Sequence, residues 1–492
     1  MRFSIIPTLV LGAMVPYAAC VDVVKTEKAQ YVSNTRACEK NVKVPNHSGF
    51  IKVGEDNEES KMWFYVAESR QLSSERNLVI YLGGGGPGMA ASYAMLDGSG
   101  PCVIDPKRGR TTTNQFSINE WTDVLYVDSP VNTGFSKGNS YIDTTETATE
   151  YMMEFLGQFF KEFPRYKWFN IGLWGVDYGA HLATSVGATI LKKNEQCLKR
   201  GQCEPGYSYI RLQSLGLDSP RLDLTLQHKA AIDYAADNDY VEIITEKDRD
   251  ALQKEFVGKY EARWNKCGSA KYMDCEEEVG EHKELWKKLV EGVGHRRLGR
   301  KVDEEDVRRP RKDDSINYQV RAMQNSKEAR HLNQTDVQKN FGIFGGDIND
   351  KKVNYVAFNL EIHDKFWASQ DVIRSSLADL EYVVKHGTRT LILGGDADII
   401  TNHIGLRRIA ESLNWSGQKR FKEAKYSALP VPRARNGDKD PNAMFESTDV
   451  GLFKTVDNLT LMKIQGVGHH VGKRKPAYLA YIVDKHGRGN RF

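Results

Sequence analysis

The sequence predicts an α/β fold, with a central, mostly parallel sheet and helices on both faces. Three observations lead there. Met62–Ala67, Leu78–Leu82, Val124–Asp128 and Trp168–Trp174 are short β-like apolar runs bounded by turns, the pattern of strands buried on both sides. A helical stretch, Thr147–Phe160, lies between the last two of them. The same texture returns at Arg389–Leu393 and Thr460–Gln465 after a long charged interval, as expected for one sheet domain carrying an insertion.

The elements divide the chain in order. Residues 1–19 carry one positive charge, an apolar stretch too short to span a bilayer, and small residues near Ala18 and Ala19, which is the layout of a signal peptide. Residues 20–221 are the first part of the α/β core, and 371–492 are the second. Between them, 222–370 read as a helical or mixed cap, with Glu255–Lys266 and Glu281–Val290 as clear helical stretches. Inside the cap the loop 291–315 contains His295-Arg-Arg-Leu-Gly-Arg-Lys301 and Arg308-Arg-Pro-Arg-Lys312. Such a run is either an exposed linker or a loop cut by a dibasic-specific processing protease.

The 492 residues are 40% apolar and 27% charged, in the ordinary range for a globular protein. A net charge of +4, from 69 basic and 65 acidic side chains, gives no nucleic-acid footprint. No later stretch is apolar enough to cross a membrane, and no cofactor motif is present. The leader and the sequons at Asn333, Asn414 and Asn458 predict a secreted or vacuolar-lumen glycoprotein. Seven cysteines occur. Cleavage beyond Cys20 leaves six, an even number that suits disulfides in an oxidising compartment. Cys197 with Cys203 and Cys267 with Cys275 are spaced to close small loops, and Cys38 with Cys102 would then staple the N-terminal segment to the core. Oligomeric state has no signal in the chain.

Four segments could carry chemistry. Tyr81-Leu-Gly-Gly-Gly-Gly-Pro-Gly88 follows a strand and can gather backbone N–H groups into an anion or oxyanion nest. It lacks the spacing of a dinucleotide fingerprint and the ending of a P-loop. Gly175-Val-Asp-Tyr-Gly179 lies between a strand and a small-residue helix, the setting of a nucleophile elbow, with Asp177 at its tip. Gly85, Gly86 and the Tyr178 backbone would then form an oxyanion hole. Leu391-Ile-Leu-Gly-Gly-Asp-Ala-Asp398 ends a strand with two acids, and Gln465-Gly-Val-Gly-His-His-Val471 ends another with two histidines. His469 would be the base and Asp398 or Asp396 its orienting acid. Metal binding at either pair lacks further ligands. The chain order elbow, acid, histidine is that of α/β-hydrolases.

Together these segments resemble the serine carboxypeptidase family of secreted α/β-hydrolases. His47-Ser-Gly-Phe50 with Met62–Arg70, Tyr81–Gly88, Val124–Ser136, Gly394–Asn402 and Gly466–Val471 carry the resemblance over nearly the whole mature length. It implies an α/β-hydrolase fold with a central mostly parallel sheet and a cap insertion, Asp398 and His469 as acid and base, and Gly85 with the Tyr178 backbone as the oxyanion hole. The departures fall on the working residues. Where the family carries its nucleophilic serine the chain has Asp177. Val176 and Gly84 stand where the family grips a terminal carboxylate with glutamate and asparagine. Thr401 replaces a cysteine, Asn402 stays, and Gly472 replaces a proline. Gly84, Val176, Asn402 and His470 are further pocket candidates.

A serine forms an acyl-enzyme because a base removes its proton as it attacks. A carboxylate attacking an amide would give a high-energy anhydride, so ordinary carboxypeptidase activity is not expected. Two readings compete. One is an Asp177–His469–Asp398 site acting on a small molecule, with Asp177 as nucleophile or as one half of an acid–base pair for hydrolysis, elimination, cyclisation or isomerisation. The other is a non-catalytic homologue that binds a ligand or serves a structural role. A residual serine-type hydrolase comes third, since Ser129 and Ser136 sit on no elbow.

Overall fold

The computed structural model describes residues 23–35, 37–39, 44–55, 59–71, 76–84, 87–96, 98–105, 107–270, 274–291, 302–310, 316–344, 352–429, 450–490 and 492. The leader, Gly85, Gly86 and most of the 291–315 loop lie outside these residues.

Fourteen strands are found among the described residues: β1 (Val23–Lys25), β2 (Ala29–Ser33), β3 (Asn46–Lys52), β4 (Lys61–Ala67), β5 (Asn77–Leu82), β6 (Cys102–Ile104), β7 (Thr111–Thr113), β8 (Asp123–Val127), β9 (Asn170–Val176), β10 (Leu212–Asp218), β11 (Arg389–Gly395), β12 (Ser427–Ala428), β13 (Gly451–Val456) and β14 (Leu459–Ile464). β6 and β7 make a small hairpin. The other twelve form one sheet in the order β1-β2-β3-β4-β8-β5-β9-β10-β11-β14-β13-β12. Its centre, from β8 through β5, β9, β10 and β11 to β14, is parallel. Both flanks are antiparallel. This is an α/β-hydrolase fold.

The lack of polar alternation in the central strands has a direct cause. Along β4, Met62, Phe64 and Val66 face one apolar layer while Trp63, Tyr65 and Ala67 face the other. The first layer is completed by the helix Thr145–Glu162, which buries Met152, Phe155, Leu156 and Phe159. The second is completed by the helix Pro476–Gly487 through Leu479, Ile482 and Val483. Thr144 caps the first helix by accepting the Thr147 N–H at 3.2 Å.

Between β10 and β11 run the helices of the insertion, including Leu224–Ala236, Glu246–Lys259, Glu261–Ser269, Glu276–Glu291 and Leu360–Ala368. They have their own apolar cluster around Phe256, Trp264 and Leu289. Three disulfides form, Cys38–Cys102, Cys197–Cys203 and Cys267–Cys275. Two predicted elements differ in detail. The run expected as a strand from Trp168 opens instead with a 3-10 turn, Pro164–Trp168, and the strand starts at Asn170. Proline fixes the turn-compatible dihedral there. The helix expected over Glu255–Lys266 is two helices that meet at Tyr260. No described helix is long and apolar enough to cross a membrane.

Candidate active site

β9 ends at Val176, and the helix Tyr178–Arg200 starts two residues later, so the chain reverses on Asp177 alone. Asp177 takes φ +49° and ψ −116°, a conformation that costs a non-glycine residue of order 1–3 kcal/mol. The turn closes because its neighbours lack side chains. A Cβ on Gly179 would lie 2.2 Å from the Gly83 carbonyl oxygen, and one on Gly175 2.4 Å from the Ala180 Cα. The Asp177 N–H donates to the Asp218 carbonyl at 3.0 Å, tying the elbow to the end of β10.

β11 and β14 deliver the other two groups. Asp398 lies just beyond β11; its Oδ1 accepts the Ile400 and Thr401 N–H groups at 2.8 and 3.2 Å. Its Oδ2 accepts the Thr401 hydroxyl at 2.5 Å and stands 2.9 Å from His469 Nδ1. His469 follows β14, and its backbone N–H donates to the Glu305 carbonyl at 2.7 Å. On the far side of the imidazole, Nε2 stands 3.5 Å from Asp177 Oδ1. Asp177 and His469 are only 1% and 3% exposed. The three predicted residues therefore meet, in the order Asp398, His469, Asp177. Asp396 is not the orienting acid. Its Oδ1 accepts the Tyr240 hydroxyl at 2.8 Å and the Gly466 N–H at 2.9 Å, so it secures the β14 loop.

Arg221 is the neighbour that the sequence did not announce. Its Nε donates to Asp177 Oδ1 at 2.6 Å, its backbone N–H donates to the Asp177 carbonyl at 3.2 Å, and its side chain is 37% exposed. Burial alone would push the Asp177 carboxyl up, but the Arg221 and His469 charges outweigh it and hold the group well below the usual carboxylate range. Burial likewise disfavours a charged His469, yet Asp398 and Asp177 on its two sides hold its pKa well above the ordinary imidazole value. Asp398, His469, Asp177 and Arg221 thus stand in one row, carboxylate groups alternating with an imidazole and a guanidinium.

The other candidates have defined places. Gly84 cannot be anything larger, because a Cβ there would sit 1.5 Å from the Val176 carbonyl oxygen. Gly84, Val176, Asp218 and His470 line a cavity of about 30 Å³ beside the elbow. Burial pushes the Asp218 carboxyl up to about 7, against the opposing pull of His470 and Ser219. His470 Nε2 lies 3.7 Å from Glu305 Oε1. Asn402 is turned to the fold rather than to the pocket: its Oδ1 caps the helix His403–Ser412 through the Gly405 N–H at 2.9 Å, and its Nδ2 donates to the Ile399 carbonyl. The Tyr178 N–H heads the first turn of its helix, where backbone donors have no intrahelical partner. The Tyr178 hydroxyl turns away and donates to Asp371. Gly85 and Gly86, the rest of the expected oxyanion hole, lie outside the described residues.

The sequons differ in surroundings. Asn414 is exposed. The Asn458 carboxamide donates to the Val384 and Thr388 carbonyls, and that of Asn333 to the Ala329 and Tyr355 carbonyls. Among the described residues, the one cluster with metal-ligand spacing is Cys267, Cys275 and Glu278, and its two sulfurs are joined in a disulfide.

The profile of the family described as serine carboxypeptidase matches residues 37–486. Carboxypeptidase S1 of Penicillium janthinellum is 27% identical over 448 residues, covering 91% of this chain and 96% of the relative. Serine carboxypeptidase-like 48 of Arabidopsis thaliana is 24% identical, covering 88% and 76%. The crystal structure of Kex1(delta)p, a prohormone-processing carboxypeptidase from Saccharomyces cerevisiae, superposes with a TM-score of 0.72 at 19% identity, covering 94% and 96% of the two chains.

Proposed function

The chain belongs to the serine carboxypeptidase family, and on that premise we propose that it is a secretory-pathway member in which Asp177 occupies the place of the nucleophilic serine, so that it does not release C-terminal amino acids through an acyl-enzyme. Its Asp177–His469–Asp398 site is instead an acid–base centre for a small molecule. The observation that supports this most is the 2.6 Å contact from Arg221 Nε to Asp177 Oδ1. A carboxylate held between a guanidinium and an imidazolium is a weak nucleophile, because its lone pairs are already engaged by cations. The same geometry makes His469 Nε2 a proton donor, oriented by Asp398 through Nδ1. Between the elimination, isomerisation and displacement chemistries open to an aspartate elbow, this favours proton transfer over covalent attack.

A second reading, a homologue that binds without turnover, draws on the near-complete burial of Asp177 and His469. One experiment separates the readings from each other and from ordinary peptidase activity. Purified protein and its Asp177→Ala and His469→Ala variants are incubated with N-blocked peptides and with a panel of small carbonyl and hydroxy compounds. The expected result is no amino-acid release and turnover of a small molecule that is lost in both variants. Turnover of nothing by any of the three proteins favours the binding reading. Amino-acid release by the wild type that Asp177→Ala abolishes would overturn both.

The division into a core of residues 20–221 and 371–492 with a cap of residues 222–370 belongs to the same proposal, as does a glycan on Asn414, whose side chain is exposed. Peptide mapping of secreted protein after glycosidase treatment would mark Asn414 by its conversion to aspartate.

A further inference from the structure

Away from the elbow, three cap helices each contribute one histidine to a shared run of rings: His228 from Leu224–Ala236, His282 from Glu276–Glu291 and His363 from Leu360–Ala368. Phe256 stacks on His228 with ring centroids 5.4 Å apart, and His228 meets His282 edge-on at 5.2 Å. His282 stacks on Trp367 at 6.1 Å, and Trp367 meets His363 at 5.9 Å. The last of these helices also sets Phe366 edge-on to Tyr178 at 5.8 Å, next to Asp177.

Geometry keeps these rings neutral. His228 and His282 are 2% and 7% exposed, and the Nδ1 of each is buried with no hydrogen-bond partner among the described residues. A proton added to either ring becomes a charge among apolar side chains. His363 is constrained differently. Its Nε2 accepts the Trp367 indole N–H at 2.9 Å, so its own proton lies on Nδ1 and is donated to Asp364 Oδ1 at 3.2 Å. A proton on Nε2 would set donor against donor and break the Trp367 contact.

The surrounding charges do not offset this. Burial pushes His228 down to about 3. Burial, then His228, Arg221 and Lys283, push His282 well below the ordinary imidazole value. At His363, burial with Arg221 and Lys283 outweighs the pull of Asp364. The carboxylates on the elements packed around the run are engaged elsewhere: Glu261 with Lys229, Glu278 and Glu281 with Arg263, Asp233 with Arg408, Glu304 with the Trp286 indole N–H, and Asp371 with the Thr145 and Tyr178 hydroxyls. Arg374 donates to the Cys267 carbonyl. Imidazoles lowered in this way leave folding unaffected above the unfolded value of about 6.5 and penalise the folded form as pH falls below it. The core holds lowered histidines too, His47, His181 and His486, but each keeps a hydrogen bond. There the raised Asp218 and His469 favour the folded state in acid.

We propose that this run of rings is an acid-operated catch. Protonation of His228 and His282, with His363 releasing Trp367, loosens the cap helices and opens the approach to Arg221 and Asp177 while the sheet stays folded. The catch does not depend on which reaction Asp177 serves.

The test is hydrogen exchange of the full chain at about pH 7 and about pH 4.5, expressed as protection relative to the intrinsic rate. Protection of Leu224–Ala236 and Glu276–Glu291 should fall at least about 50-fold, the change that one imidazole lowered to about 3 produces over that interval. Protection of β9 and β10 should change by less than about five-fold. In the His228→Phe/His282→Phe variant, whose melting curve at neutral pH verifies the fold, the cap should also change by less than about five-fold. His363→Gln leaves the other two rings in place and keeps an acceptor for Trp367 without titrating. The Trp367 indole N–H resonance, lost in acid in the wild type, should persist in it. Equal cap protection at the two pH values would overturn the proposal, as would an acid response that spreads evenly over cap and sheet or that both variants retain. No turnover is measured, so failure here leaves the reading of Asp177 untouched.

Discussion

At the scale of the residue, the ionic contacts of Asp177 set its chemistry. Burial opposes a charge on His469, but the carboxylates that flank it raise its pKa. Removing one of them in Asp177→Ala should bring the His469 titration down by one unit or more, read from the imidazole nitrogen shifts in NMR. Stability follows with opposite signs for the two groups. The depressed Asp177 contributes fully above the unfolded carboxylate value of about 4, and its share is lost as pH falls through the folded value. The raised His469 contributes fully below about 6.5, and its share is lost as pH rises through the folded value. Asp218 runs the other way from Asp177. Burial raises it to about 7, so it favours the folded state in acid and opposes it above that value. Asp218→Asn should therefore be more stable than wild type at pH 8, by about 3 kcal/mol relative to their difference at pH 4, in urea denaturation. The elbow, acid and histidine could be found in the sequence because each follows a strand and is flanked by glycine. Arg221 could not. It is a charged residue three positions past β10, in Ser219-Pro-Arg-Leu222, and no spacing rule links it to an aspartate 44 residues earlier.

At the scale of the element, the elbow is a steric construction before it is a chemical one. Val176 O, Gly83 O and the Ala180 Cα occupy the space that side chains at Gly84, Gly179 and Gly175 would need. Restoring the family's carboxylate grip by Gly84→Asn together with Val176→Glu and Asp177→Ser should thus fail at the first substitution. Gly84→Asn alone should destabilise the protein by more than about 3 kcal/mol, visible as a lower midpoint in urea, whereas Asp177→Ser should fold. The central strands were legible as continuous apolar runs because both faces of β4, β5, β8 and β9 are buried. β1 and β12 offered no such pattern. They are two or three residues long at the edges of the sheet, where pairing is decided by the neighbouring strand and little apolar surface is at stake.

At the scale of the whole molecule, the N-terminal strands depend on a covalent tie. β1, β2 and β3 form the outer antiparallel flank, and Cys38, between β2 and β3, is bonded to Cys102 at the start of β6. The bond spans 64 residues, against 6 for Cys197–Cys203. Closing the longer loop removes more freedom from the unfolded chain, about 4 kcal/mol against about 2 kcal/mol on the chain-entropy estimate. Replacing Cys38 and Cys102 with alanine should cost the larger amount, and Cys197 with Cys203 the smaller, when both double variants are unfolded in urea beside the wild type. The two losses should also differ in kind. The short loop lies at the end of the helix Tyr178–Arg200, remote from the flank, so its loss should lower stability without exposing a sheet edge. Loss of the long tie should free β1–β3 first, detected as early hydrogen exchange at Ala29–Ser33 and Asn46–Lys52 while the parallel centre stays protected. Equal losses from the two pairs, with uniform exchange across the sheet, would mean that the flank is held by its ladder and the layers beneath it rather than by the disulfide.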